Sequence, residues 1–243
     1  MDLMTALAAS GLRARMESLD LLANNIANAS TGGYKADREF YSLYVAPEAE
    51  DNDSAAAMPV IERQWIDLSQ GSVHPTGNSL DLALSGKGFF TVQGPGGPLY
   101  TRNGNFHLAP DGKLMAPDGY PAQSVKGTTL TVAASQPVEV LDDGTVRQGG
   151  NEIGQLAIVD FADPAALAKQ GSNYFVADPA AKPAAASGTS VEQGKLEDSN
   201  TGTAEGAVRL VAVMRQFEMM QKAVLIGSDM SKQAIEQVAK VGS

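Results

Sequence analysis

The side chains able to carry acid–base or metal chemistry are few and poorly placed. His74 and His107 are the two histidines, more than thirty residues apart, each beside polar turn sequence. There is no cysteine, which removes disulfides, thiolate metal sites and cysteine nucleophiles together. A metal site would have to rest on carboxylates. The Asp-Gly pairs at 111–112, 118–119 and 143–144 lack the alternating acids and closing glutamate of a calcium loop. The stretch Gly94-Pro95-Gly96-Gly97-Pro98 has no lysine and no following helix, so it reads as a hairpin turn and not as a phosphate cradle. No serine stands in a nucleophile elbow. The expectation is a chain with no catalytic, cofactor-binding or metal-ligating residues, needing no cofactor and catalysing no reaction.

The polar groups that do cluster are amides. Asn24, Asn25 and Asn28 fall within five positions, at the end of an apolar helical repeat and just before Gly32-Gly33. Upstream of them Leu12, Met16, Leu19, Ala23 and Ile26 are spaced four, three, four and three apart, a heptad seam. Alanines at 6, 8 and 9 extend the helix almost to the start, giving a predicted helix 2–28 roughly 40 Å long at ~1.5 Å per residue.

The far end repeats the pattern. Leu210, Val213, Phe217, Met220, Val224, Gly227, Ser231, Ala234, Val238 and Val241 are three or four apart without a break. Gly202-Thr203 can open this helix, with Glu205 in its first turn where the macrodipole favours an acid. The predicted span is 204–241, bulky at first and then small enough for close helix approach. Two terminal helices covering the middle domain's core would be the ordinary arrangement. The middle, however, reads as a self-contained β domain, so the helices are expected to meet each other or copies of themselves.

Hydrophobic residues make up 43% and aromatics 6% of the 243 residues, with 25 Gly and 12 Pro, a turn-rich composition. The formal charge of -10 disfavours nucleic acid and anionic lipid as partners. No stretch reaches the apolar length of a membrane span. An acid at position 2, with Arg13 and Arg15 within the apolar run, excludes a secretory signal peptide.

Between the helices the period changes to two. Leu80, Leu82 and Leu84, then Phe89-Phe90, mark short strands about a Ser-Gly turn. Asn103-Gly104, Asp111-Gly112, Asp118-Gly119 and Asp143-Gly144 are hairpin-type dipeptides, and 154–161 reads as a buried strand. Residues 46–58 and 178–190 read as low-complexity connectors. The fold class is α+β: long N- and C-terminal helices pairing as a coiled coil, with an all-β central domain. The expected domains are 1–35 (axial helix and turn), 36–75 (linker and extended connecting region), 76–190 (β domain) and 191–243 (return segment and C-terminal helix).

Several blocks carry a resemblance. "ANNIANASTGGYK" (23–35), "TGNSLDLALSGKGFF" (76–90), "YTRNGNFHLAPDGKL" (100–114), "GKLEDSN" (194–200) and "RQFEMMQKAV" (215–224) resemble, in family order, the blocks of the flagellar basal-body rod and hook proteins. Departures are Tyr34 where many relatives carry Phe, and Thr201-Gly202 where the family usually has Val-Asn. The short region after Tyr34 and the stretch Arg215–Met219 are most similar to the proximal-rod members; distal-rod members are the alternative.

The resemblance implies a structural subunit of the bacterial flagellar basal-body rod, in the periplasm-spanning part. Its export would run through the flagellar type III apparatus without a cleaved signal peptide. It also implies partners: copies of itself, other proximal and distal rod proteins, ring or bushing proteins, and the export apparatus, with no nucleic acid and no direct membrane insertion. The chain would polymerise helically into a hollow drive shaft that transmits torque and continues the export channel. The expected subunit-packing residues are Leu12, Met16, Leu19, Asn24, Asn25, Ile26, Asn28, Tyr34, Leu210, Val213, Phe217, Met220 and Val224. The three asparagines then mark either a solvated helix stop or a junction of coil and β layer where register is set. A secreted oligomeric β-domain binding module is the rival reading; it requires a ring of exposed aromatics, and Trp65 is the single tryptophan.

Overall fold

The computed structural model describes residues 3–45, 57–133 and 136–241, so the acidic stretch expected as a linker at 46–58 lies almost wholly outside the described residues. The chain divides into two compact units. The first holds α1 (Leu3–Ala27), β1 (Asp37–Val45), β2 (Ala57–Ile66) up to Trp65, and α2 (Thr203–Val241). Helix α1 stops at Ala27 because Asn28, Ser30, Thr31 and the glycine pair are poor helix formers that prefer local hydrogen bonds; Thr31 N–H donates to the Asn28 carbonyl at 3.0 Å. Helix α2 opens one residue after Gly202, with Glu205 in its first turn. Ile26, in the last turn of α1, meets Gly206, in the first turns of α2: a Cβ at 206 would lie 2.8 Å from Ile26 Cγ1. The helices pack against each other and run in opposite directions. Strands β1 and β2 pair as a two-stranded sheet in this unit, so the region expected as a connector at 36–75 carries regular structure.

The second unit, 28–36 with 66–202, is almost entirely β. Its strands are β3 (Val73–Pro75), β4 (Leu82–Ser85), β5 (Phe89–Gly94), β6 (Gly97–Thr101), β7 (His107–Leu108), β8 (Leu114–Met115), β9 (Val138–Val140), β10 (Thr145–Gln148), β11 (Asn151–Gln155), β12 (Ile158–Asp160), β13 (Leu167–Gln170), β14 (Tyr174–Ala177), β15 (Ala184–Ala185), β16 (Ser190–Gln193) and β17 (Lys195–Glu197). The largest sheet has order β13-β14-β6-β5-β12-β15, and a three-stranded sheet has order β11-β10-β9. Pairs β16-β4 and β17-β3 bring the return segment 190–197 alongside strands from the start of the unit. The main core gathers Leu82, Leu84, Phe90, Val92, Phe106 and Val146, and a second cluster joins Phe89, Tyr100, Phe161, Leu167 and Phe175.

Two expectations are corrected here. The segment 154–161 is not one buried strand: β11 and β12 are separate, only Leu156 and Phe161 are buried, and Ile158 and Val159 pack half-buried against the two clusters. Asn103-Gly104 is not a hairpin turn. Gly104 lies flat against the Leu82 carbonyl, where a Cβ would come within 1.6 Å of the oxygen, and its own carbonyl accepts from Leu82 N–H at 2.9 Å.

The Asp-Gly pairs do make tight turns, of one repeated kind. In Ala109–Gly112, Ala116–Gly119 and Leu141–Gly144 the glycine N–H donates to the first residue's carbonyl, and that residue's N–H donates to the carbonyl following the glycine. The glycines have φ of +80°, +80° and +81°, and no other residue type among those described has positive φ. This is the type I turn closed by a left-handed glycine, with proline favoured second. The primed turn that Asp-Gly alone suggests would force the aspartate left-handed as well. The sequence Ala-Pro-Asp-Gly, present twice, specifies the first form.

Candidate functional site

The groups that shape function here are helical faces and one buried ionic cluster. On α2 the less exposed positions are Gly206, Leu210, Val213, Phe217, Met220, Val224, Gly227 and Ser228, which from Leu210 to Gly227 follow the spacing of the predicted seam. Side chains at Ser231, Ala234, Val238 and Val241 lie outside the described residues. On α1 the buried positions are Gly11, Ala14, Ser18, Leu22 and Asn25. That is a narrower and smaller-sided stripe than the expected one: Leu12, Leu19 and Ile26 are half-buried flanks, and Met16 is 56% exposed. Small residues on α1 admit the bulky seam of α2. Large apolar side chains remain exposed on the outside of α2, among them Val208, Met219, Leu225, Ile226 and Met230.

The three asparagines have three different fates. Asn24 is exposed and Asn28 is half-buried beyond the helix end, where its Oδ1 accepts from Thr31 Oγ1 at 3.4 Å. Asn25 is buried and mimics a strand: its Nδ2 donates to the Asp37 carbonyl at 2.9 Å and its Oδ1 accepts from Asp37 N–H at 3.0 Å. The amide therefore sets register inside the chain, between α1 and the first residue of β1. Ser18 Oγ donates to Glu39 Oε1 at 2.9 Å, and Arg209 of α2 lies 3.7 Å from the same oxygen. Asn25→Ala leaves both backbone groups of Asp37 without this partner, and the helical unit is expected to lose about 1–3 kcal/mol in denaturant unfolding followed by circular dichroism.

The second unit is locked by charges that sequence reading had not singled out. Lys35 Nζ donates to Glu197 Oε1 and to the Ser69 carbonyl at 2.6 Å. Both side chains of this ion pair are 0% exposed. Gly71 N–H also donates to Glu197 Oε1, at 3.0 Å. On the other side of the carboxylate Arg102 Nε lies 3.6 Å from Oε2, and Arg102 Nη2 donates to the Gly86 carbonyl. Burial lowers the Lys35 pKa from its ordinary value, with Glu197 opposing that shift; Arg102 is lowered by burial in the same way. Two cations share one carboxylate in a dry site, so the carboxylate is the indispensable member.

Backbone and amide bonds surround the cluster. Gly33 N–H donates to the Glu197 carbonyl at 2.8 Å, and Asn200 N–H to the Tyr34 carbonyl at 3.3 Å. Asn200 Oδ1 accepts from Ala36 N–H at 2.8 Å while its Nδ2 donates to the Asp67 carbonyl at 2.7 Å. Gly33 has φ +67°, and a Cβ there would sit 2.3 Å from Asn103 N, so only glycine fits. Tyr34, expected among the subunit-packing residues, is buried inside this unit, its ring under Lys169 Nζ at 4.3 Å from the centroid; a buried ring offers no surface to a neighbour. His74 is at the surface, with Nδ1 3.1 Å from Asp198. Among the described residues no group of three His, Cys, Asp or Glu is placed to hold a metal, and no helix is long and apolar enough to cross a membrane.

Buried ions tie distant segments of the second unit together, and α2 leaves large apolar side chains exposed, which are features of a structural protein. Comparison with known proteins agrees. Residues 7–35 match the family described as flagella basal body rod protein, 83–148 the flagellar hook protein FlgE/F/G D1 domain, and 192–237 the flagellar basal body rod FlgEFG protein C-terminal. The chain is similar to the flagellar basal-body rod protein FlgF of Caulobacter vibrioides, 32% identical over 92% of each chain. It is also similar to the flagellar basal-body rod protein FlgG of Agrobacterium fabrum (31%, 93% of this chain and 95% of the relative) and to FlgF of Mesorhizobium japonicum (28%, 87% of each). This chain belongs to the flagellar basal-body rod protein family, a structural subunit of that rod in the basal body. Each matched segment supplies one member of the buried cluster: Lys35, Arg102 and Glu197 in turn.

Proposed function

We propose that this chain polymerises helically in the proximal rod, its two helices pairing as a coiled coil and packing beside those of neighbouring subunits around an export channel. The proposed packing set is Leu12, Met16, Leu19, Ile26, Leu210, Val213, Phe217, Met220 and Val224, with the β unit supplying contacts around the shaft. The observation that carries the reading is the amount of large apolar side chain that α2 leaves exposed in the lone chain. Aliphatic and methionine side chains gain about 1.5–3 kcal/mol each on full burial, so such a face favours a partner. Contacts of one kind repeated without closing build a rod and not a ring. Torque then passes between subunits through these seams, and export precedes assembly without a cleaved signal.

The proximal position is supported by the FlgF relative of Caulobacter vibrioides, matched over an equal share of both chains; the nearly equal likeness to FlgG of Agrobacterium fabrum supports the distal alternative. The test of the assembly reading is Phe217→Asp. We expect it to abolish incorporation into basal bodies, scored by electron microscopy and immunoblot, while a protease-resistant core from the second unit persists. Normal rods built from the variant would sink the reading. Locating the tagged chain in intact basal bodies by cryo-electron microscopy decides between proximal and distal.

A further inference from the structure

Sulfur occurs in this chain only as thioether: nine methionines and no cysteine. Among the methionine side chains described, Met115 and Met220 are half-buried. Met16, Met214, Met219 and Met230 are 56%, 47%, 62% and 65% exposed. Two of these are not scattered singly. Met219 and Met230 stand eleven residues apart on α2, three helical turns to within about 20°. With Val208, Ala212, Ala223 and Ile226 they form a second apolar stripe, spaced four, seven, four, three and four, and every member is exposed. The stripe is turned away from the seam that runs from Leu210 to Gly227. Met214 lies off it, about 140° around the helix from Met219.

An exposed thioether reacts readily with a peroxide. A sulfur lone pair takes one peroxide oxygen, the O–O bond breaks, and water leaves. The sulfur is oxidised by two electrons to the sulfoxide, and the peroxide is reduced. No thiol in the chain competes for the oxidant. The product is polar and chiral where the side chain had been flexible and apolar, and it arises at two points of one stripe. We infer that Met219 and Met230 are a modification site for peroxides, and that their conversion to sulfoxide keeps a free subunit out of the rod. The inference rests on the assembly reading, in which neighbours cover the outer face of α2. A sulfoxide there would carry its dipole into an apolar contact without a partner. Once the face is covered the sulfurs are out of reach, so the site acts only before a subunit is built in.

The test compares the native full chain with Met219→Leu/Met230→Leu, in which leucine keeps the stripe apolar and removes the sulfur. Purified native chain treated with hydrogen peroxide should gain one oxygen at Met219 and at Met230 several-fold faster than at half-buried Met115, read by peptide mass spectrometry. Equal or slower reaction at those two overturns the proposal. The stereospecific methionine sulfoxide reductases with dithiothreitol should return both peptides to their native mass; failure to do so would place the oxygen elsewhere and overturn it too. Cells with either chain as the sole copy then receive a peroxide pulse while rod assembly is induced, and each is compared with its own untreated incorporation into basal bodies. The native chain should lose incorporation several-fold more than the leucine variant, and Met214→Leu should stay as sensitive as the native chain. Equal losses in native and leucine chains overturn the proposal, as does resistance conferred by Met214→Leu. Isolated basal bodies keep this failure apart from that of the assembly reading. If Met219 and Met230 are protected there but the leucine chain gains no resistance, the oxidation site alone is wrong. If they oxidise there as fast as in the free chain, the outer face of α2 stays in water and the assembly reading itself has failed.

Discussion

Replacing Glu197 by glutamine should unfold the second unit more readily than any other single polar change in the chain. The shape is kept, but Lys35 and Arg102 lose the carboxylate they share, and both are buried. Removing one partner of a buried pair costs about 3–5 kcal/mol, because the remaining charge is stranded in low dielectric. At roughly 2–4 °C per kcal/mol for a domain of this size, the melting transition should fall by about 10 °C. Lys35→Met should cost less: Arg102 still balances Glu197, and a lysine whose charged form burial already disfavours has been removed. That order of severity separates a charge cluster from mere packing, which predicts that the two substitutions cost alike.

The pH dependence has a definite sign. In the glutamine variant Lys35 has lost the Glu197 charge that was holding its pKa up, so its folded pKa falls further below the unfolded value. The penalty of its buried charge is present in full below that folded value and fades as pH rises through it. The variant's stability deficit should therefore shrink between neutral and alkaline pH. It should not vanish, because Arg102 stays charged. Urea titrations of variant and native chain across that range, followed by near-ultraviolet circular dichroism, measure the difference directly; a deficit that grows with pH would remove the cluster from this account.

The sequence was most informative where structure is periodic. The three-and-four spacing placed α2 within a residue, and the same seam, Leu210 to Val224, turns out to face inward. On α1 the period was visible but its phase was not. The buried stripe runs through Gly11, Ala14 and Ser18, residues that no hydrophobicity argument favours, because what selects them is the room that α2 needs. Asn25 stands out in the sequence as one of a cluster, yet its role depends on where the Asp37 backbone passes, a non-local fact. The ionic cluster was the least visible. Lys35, Arg102 and Glu197 are ordinary charged residues in three blocks separated by scores of positions, and long-range contacts bring those blocks together: the β3–β17 and β4–β16 pairings and the backbone bonds from Gly33 to Glu197 and from Leu82 to Gly104.

The cluster also explains why three separately matched segments occur in one chain. Gly33, Lys35 and Ala36 on the way in, and Glu197 and Asn200 on the way out, bind each other by backbone, amide and charge. The segments that lead from α1 and towards α2 are thus held side by side within the β unit.

The second large effect belongs to the outer face of α2. Leu225 and Ile226 are 64% and 62% exposed in the lone chain, so the double variant Leu225→Asp/Ile226→Asp removes little that the monomer uses. Surface substitutions in helices change stability by about 0.5 kcal/mol each, and thermal unfolding of the monomer should shift by only a few degrees. In the rod the same positions are expected to be covered, where an unpaired carboxylate in an apolar contact is prohibitive. Incorporation should be lost completely, and cells carrying the variant as the sole copy should be non-motile on soft agar. Leu225→Met/Ile226→Leu keeps the apolar volume and should restore both. Phe217→Asp tests the same assembly with a retained second-unit core as its control, since Phe217 is half-buried; the Leu225/Ile226 pair needs no such control because both side chains are exposed in the lone chain. A carboxylate pair that left motility intact would mean that the exposed apolar face of α2 stays in water in the assembled rod, and that the seam shared with α1 alone does the packing.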